Sequence, residues 1–258
     1  MPVAALVAAG ALFELSENRV RVAVARLLAS GRLERDERGR YRLGAGAVPV
    51  DRRVRSWRRL EERTRRWDGG WIAVHGAPRG REGRRGARAL RLLGFASLAR
   101  DLVVRPDNLR GGVPQVRAEL RELGLEPDAL VFGLRELDLA GEARARRLWD
   151  AAALRAGHAR SRAEVERSAE HLGRLPAERA MAESFLLGGR VIRQLVLDPL
   201  LPDPILPVAE RDALVEAMRR YDRLGRACWA GFLERHGVLG SRAPADTRIP
   251  DGATRLLN

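Results

Sequence analysis

The chain has no lysine: all 48 of its basic residues are arginine. That absence excludes Schiff-base catalysis, covalent attachment of pyridoxal phosphate and a Walker A phosphate loop, each of which needs a lysine amine. Cys228 is the one cysteine, so neither a disulfide framework nor a multi-cysteine zinc site can be built. Aromatic residues are scarce at 5%, yet 45% hydrophobic and 32% charged residues over 258 positions make a globular balance. Long apolar runs are missing too. Residues 2–13, the most apolar stretch, fall short of the roughly 20 residues of a spanning helix. No basic segment precedes them, as one would in a secretory leader. A reducing, cytoplasmic setting away from membranes is expected.

Catalytic signatures are absent as well. There is no Gly-x-Ser-x-Gly elbow and no glycine-rich dinucleotide fingerprint. His75, His158, His171 and His236 lack metal-ligand spacing. No enzyme activity, metal or cofactor is expected.

What is present is positive charge, +14 in all. Arginine in place of lysine, with abundant Ala and Gly, matches the codon usage of a GC-rich genome, so distribution informs more than the total. Residues 1–70 carry 16 arginines against 9 acids, residues 71–140 carry 12 against 9, and residues 141–258 carry 20 against 16. Half of the excess therefore lies in about the first quarter of the chain, as expected when a terminal module faces a polyanion.

That quarter reads as a winged helix-turn-helix. Residues 3–9 form a short apolar helix, residues 10–15 a turn, and Ser16 is an N-cap for a helix over residues 17–30. Val20, Ala23, Val24, Leu27 and Leu28 follow the i, i+3, i+4, i+7, i+8 pattern and make its apolar face. Asn18, Arg19, Val22, Ala25, Arg26 and Ala29 fall on the opposite side, a surface small enough to approach base-pair edges. Gly31 ends the helix. Next, "RLERDERGRYRLG" reads as a hairpin with Leu33, Tyr41 and Leu43 inward and Arg38-Gly39 at the tip. Double-stranded DNA is the expected partner. Ser16, Asn18, Arg19, Val22 and Arg26 would serve the major groove, and Arg35, Arg38 and Arg40 phosphates or the minor groove. A complete module has one more helix before the turn pair. That first helix is expected to be missing, through a start downstream of the true one or through loss.

Residues 51–67, "DRRVRSWRRLEERTRRW", read as one connector helix with Val54, Trp57, Leu60 and Trp67 on a stripe. Arg52, Arg53 and Arg55 either reach phosphates or cover apolar surface with their stems. Residues 70–138 then alternate strand, helix, strand, strand, helix and strand, the ferredoxin-like βαββαβ order. Residues 142–158, 164–172, 177–197 and 212–235 read as helices. Pro199, Pro202, Pro204 and Pro207 predict a rigid extended link before the last one. The fold class is thus α+β: a winged helix-turn-helix over 1–48, a connector over 49–69, a ferredoxin-like domain over 70–140 and a helical domain with a loose tail over 141–258.

"LRLLGFASLARDLVVRPDNL", preceded by Trp71, resembles the central domain of the PaaX-type transcriptional regulators, named for control of phenylacetate degradation. "SENRVRVAVARLLASGRLERDERGRYRL" is similar to that family's winged helix and wing. "RLWDAAAL" and "RQLVLDPLLPDPILP" are similar to its C-terminal segment. Together these cover most of residues 10–235. Two departures stand out: Val103 occupies a place that usually holds tryptophan, and the family's aspartate-tryptophan-proline-glycine continuation is absent after Pro207. The resemblance implies a homodimeric repressor on a palindromic operator, released by an acyl-CoA or aryl-CoA effector. The alternative is an acyl-CoA-binding or scaffolding protein with a degenerate DNA module. The loop "HGAPRGREGRRGAR", with arginines 79, 81, 84, 85 and 88 leading into a helix, is the candidate phosphate site for such a CoA thioester, through Arg84 or Arg85. The family's central domain is also similar to a CRISPR-associated nuclease subunit. That chemistry needs a carboxylate at the end of the first strand, and none follows Val74-His75-Gly76 before Glu82, so cleavage is not expected.

Overall fold

The structure is a computed structural model and describes residues 1–36, 38–77 and 83–238. It is an α+β protein. Helices α1 (Val3–Ala11) and α2 (Glu17–Ala29) lead into a hairpin of β1 (Leu33–Arg35) and β2 (Tyr41–Leu43), then α3 (Val48–Arg55) and α4 (Leu60–Arg63). β3 (Trp71–His75), α5 (Arg84–Leu92), β4 (Ala96–Ala99), β5 (Leu102–Pro106), α6 (Gly112–Glu122) and β6 (Leu130–Leu134) follow. The chain ends in α7 (Leu139–Arg146), α8 (Ala151–His171), α9 (Ala177–Val196) and α10 (Ala209–Arg235). Among the described residues no helix is long and apolar enough to cross a membrane. The expected tail over residues 240–258 lies outside the described residues.

Two compact units form, each discontinuous in sequence. The first comprises Met1–Arg55, Ala163–Arg193 and Ala217–Asn258. Within it, Gly10 lets α1 approach α2 closely, because a Cβ there would sit 2.5 Å from Val20 Cγ2. Ser16 caps α2 through Arg19 N, and Gly31 ends it at φ +65°, where a side chain would be strained. The unit's aromatic cluster is drawn from distant sequence. Met181, Trp229, Phe232 and Leu233 are buried together, with Ala8, Ala9, Leu12 and Phe13 from the N-terminal end packed against them. Phe13 lies 5.0 Å from Phe185, and Phe185 5.9 Å from Trp229. The apolar side of α1 is thus covered by α9 and α10.

The second unit, Ser56–Arg162 with Gln194–Glu216, holds a four-stranded antiparallel sheet in the order β4-β5-β3-β6. Trp71 and Ala73 face one side and share a cluster with Val104, Leu98 and Ala145, while Ile72 and Val74 are buried on the other. The β4–β5 turn falls at Arg100-Asp101, with Asp101 at φ +61°. β6 is an edge strand, and arginines occupy one backbone acceptor within it and one just before it. Arg117 donates to Val131 O at 2.6 Å and Arg121 to Ala129 O at 2.6 Å, which blunts strand addition there.

Several expectations need correction. The connector is not one helix: α3 gives way to a 3-10 stretch over Ser56–Arg59 and then to α4. Val54, Trp57 and Leu60 are spaced by three, a period that drifts round an α-helix but eclipses in a 3-10 turn, and all three are buried. Residues 159–163 lie inside α8, and the break comes earlier, at 147–150. There Leu148 and Trp149 turn into the sheet's apolar cluster, and Asp150 restarts the helix by accepting from Ala153 N at 2.8 Å. The proline-rich link is a folded turn, with Ile205 N and Leu206 N donating to Pro202 O. Leu43 is 38% exposed, since strands of three residues have too little face to bury both members of the Leu33–Leu43 pair. His75 is exposed at the end of β3.

Candidate nucleic-acid interface and ligand cavities

Helix α2 separates its two faces cleanly. Val20 and Val24 are buried, while Asn18, Arg19, Val22, Ala25, Arg26 and Ala29 are all exposed. Charge pairing distinguishes the arginines of α2 and the hairpin. Arg21 bonds Glu17 at 2.7 Å and Arg42 bonds Glu34 at 3.2 Å, so these two are neutralised within the unit. The side chains of Arg19, Arg26, Arg35 and Arg38 have no acidic partner among the described residues. The unpaired charge therefore lies on the outer face of α2 and at the hairpin.

The hairpin turn is built by Asp36. Its Oδ1 accepts from Arg40 N at 2.7 Å and Arg38 N at 3.0 Å, and Gly39 takes φ +73°. The Arg40 N–H bond, seconded by that of Arg38, holds the Asp36 carboxyl below its ordinary pKa. Arg35 lies against this turn, its guanidinium 3.0 Å from where a Cβ of Gly39 would stand. Arg40 differs from its neighbours: it is half-buried, and its guanidinium donates to Gly237 O at 2.6 Å. In the connector, Arg53 is buried and Arg55 bonds Asp51 at 2.8 Å, so the reading of these two as phosphate contacts is replaced by a structural one.

In the sheet unit, Arg84 and Arg85 are exposed in the first turn of α5, where no acidic residue stands. Arg79 and Arg81 of the same loop lie outside the described residues, as does Glu82. Two cavities lie elsewhere in this unit. One, of about 480 Å³, is bounded by Arg91, Phe95, Trp149, Gly157, Gln194 and Pro199. The other, of about 490 Å³, lies among Arg65, Arg66, Trp67, Asn108, Pro204 and Arg211.

Between them runs a buried polar network that the sequence did not announce. Arg105 is fully buried. It donates to Leu93 O, to Pro106 O at 3.1 Å, to Asn108 Oδ1 at 2.9 Å and to Pro199 O at 3.4 Å. Asn108 donates onward to Leu200 O at 2.7 Å. Asp198 Oδ2 stands 2.6 Å from His158 Nε2, both nearly inaccessible, and Asp198 Oδ1 accepts from Leu200 N at 2.8 Å. Leu200 is held at φ +52° by these contacts. Burial, with Arg63 nearby, lowers the Arg105 pKa to about 9. The only legible signal was an arginine at an inward strand position in "LVVRP". Among the described residues, no three His, Cys, Asp or Glu side chains stand together as metal ligands.

No family model matches the chain, and no curated protein matches it. Among solved structures its fold is similar to that of the uncharacterized protein Rv0674 from Mycobacterium tuberculosis. The TM-score is 0.50 at 24% identity, over 88% of this chain and 91% of that one. The likeness is one of fold: N-terminal helices, a small hairpin, a four-stranded antiparallel sheet and a helical C-terminal region.

Proposed function

We propose that the protein is a DNA-binding transcriptional regulator of the PaaX type, a dimeric repressor released from its operator by an acyl-CoA or aryl-CoA ester. The observation that carries this reading is the exposed face of α2, where Asn18, Arg19, Val22 and Arg26 stand together with both guanidinium groups unpaired. An α-helix of this kind enters a major groove, and its arginines suit guanine edges or phosphates. Ser16, Arg35 and Arg38 complete the surface, with Ser16 bonding the backbone of Arg19 and the other two flanking the groove. Arg40 contributes by bracing the hairpin. The first 48 residues are read as a winged helix-turn-helix whose α1 packs against α9 and α10. The sheet order β4-β5-β3-β6 supports a ferredoxin-like central domain. Arg84 and Arg85 are assigned to the phosphates of the CoA ester; unchanged ester binding by an Arg84→Ala, Arg85→Ala double variant would reject that assignment.

The decisive experiment is a mobility-shift titration on the intergenic DNA upstream of the protein's own gene. Specific binding that weakens as salt rises is expected. The Arg19→Ala, Arg26→Ala double variant should bind on the order of 100-fold more weakly, since each arginine–base contact contributes about 1–3 kcal/mol. Binding that ignores sequence, or a double variant that binds as well as the parent, would sink the proposal.

A further inference from the structure

We infer that the cavity at the end of α5 binds a small apolar carboxylate, an aryl acid in preference to its amide. This inference concerns the sheet unit alone and stands whether or not the chain binds DNA.

Its walls are apolar on most sides, with Phe95, Leu148, Trp149, Leu154, Leu197 and Pro199 contributing. The volume of about 480 Å³ is within the ordinary range for small-molecule sites. Two donors face this lining. The side chain of Arg91, in the last turn of α5, has no hydrogen bond or ion pair to any described residue, although a paired surface arginine is common throughout this chain. Gln194 has its amide oriented, because Ser161 Oγ donates to its Oε1 at 2.6 Å. Its Nε2 is therefore the free end, and it lies 3.3 Å from where a Cβ on Gly157 would project. Asp150, the acid at the rim, is committed to the N-terminus of α8 through Ala153 N. An unpaired guanidinium and an oriented amide donor beside aromatic walls recognise an apolar body ending in a carboxylate.

The site is also rigid before any ligand arrives. Gly94, at φ +75°, abuts Pro199 so closely that a Cβ would fall 2.5 Å from its Cα. The carbonyls of Leu93 and Pro199 both accept from the one buried guanidinium of Arg105. Trp149 lies parallel to Trp71 at an interplanar angle of 3° and a centroid separation of 6.3 Å. A preformed wall lowers the ordering cost of binding.

Isothermal titration calorimetry of the full chain with 2-naphthoate, 2-naphthamide and 2-naphthoyl-CoA tests the assignment. Saturable binding of naphthoate is expected, with naphthamide weaker by about tenfold. Arg91→Gln, at an exposed position that the fold does not need, should lose about tenfold for naphthoate and abolish the preference over the amide. Ala153→Trp should fill the cavity and remove binding while circular dichroism stays unchanged. Absence of saturable binding at millimolar naphthoate overturns the inference. So does equal binding of the amide, binding undiminished in Ala153→Trp, or binding of the thioester alone.

Discussion

Replacing Arg105 by alanine is expected to cost about 3–5 kcal/mol of unfolding free energy, read by urea denaturation. The size follows from what the guanidinium satisfies. Four acceptors, on Leu93, Pro106, Asn108 and Pro199, lose their donor inside a site with no access to water. A cavity the size of the side chain is added to that loss. The pH dependence gives a second, independent reading. Arg105 holds its proton less tightly in the fold, with a pKa of about 9, than in the unfolded chain, where it has the ordinary, higher arginine value. Between those values the unfolded chain carries more protons, so the native state of the parent gains stability as pH rises through about 9. Below pH 8 the difference between parent and Arg105→Ala should be flat. At pH 10 it should have widened by on the order of 1 kcal/mol. A difference that stays constant from pH 7 to 10 would mean that burial leaves the guanidinium unperturbed.

The same residue shows where sequence reading stops. Most of the sheet was legible because β3, β4 and β5 are short apolar runs closed by Gly, Asp or Pro, and because the turn at Asp101 tolerates a left-handed backbone. The two faces of α2 were legible because a 3.6-residue period sorts them without reference to anything else. Arg105 obeys neither rule. In a chain whose basic residues are all arginine, a buried guanidinium has the same letter as dozens of solvated ones, and only its neighbours in space distinguish it. Asp198 and His158, forty positions apart, pair for reasons equally invisible in one dimension. Leu43 and the connector failed for a different reason. There the local pattern was read correctly, but three-residue spacing was given to an α-helix and a short hairpin was credited with more cover than it has. The cover of α1 was the largest gap. It comes from residues some 170 positions later, and no local signal links Leu12 or Phe13 to Met181 and Trp229.

Trp229→Ala is therefore expected to act on the N-terminal helices as strongly as on the helix that carries it. Trp229 is 8% exposed, donates its indole N–H to Met181 O at 3.1 Å, and stands between Phe185 and Phe232. Truncation should cost about 3–5 kcal/mol, the range for a buried tryptophan. Trp229→Phe, which keeps a ring but loses the hydrogen bond and part of the volume, should cost roughly half as much. Hydrogen exchange separates this from a local defect in α10. If the cluster is what covers α1, amides of residues 3–11 should lose protection together with those of residues 217–235 in Trp229→Ala. Exchange confined to α10 would show that α1 is held by α2 alone, through the Gly10–Val20 contact. The outcome bears directly on function, because the face of α2 that carries Arg19 and Arg26 is only as well placed as the α1–α2 pair beneath it. On the repressor reading, Trp229→Ala should weaken DNA binding without touching a DNA-facing residue, and cooling should restore part of that loss as the folded fraction recovers. A variant with unprotected α1 and full operator affinity would separate the aromatic cluster from DNA binding altogether.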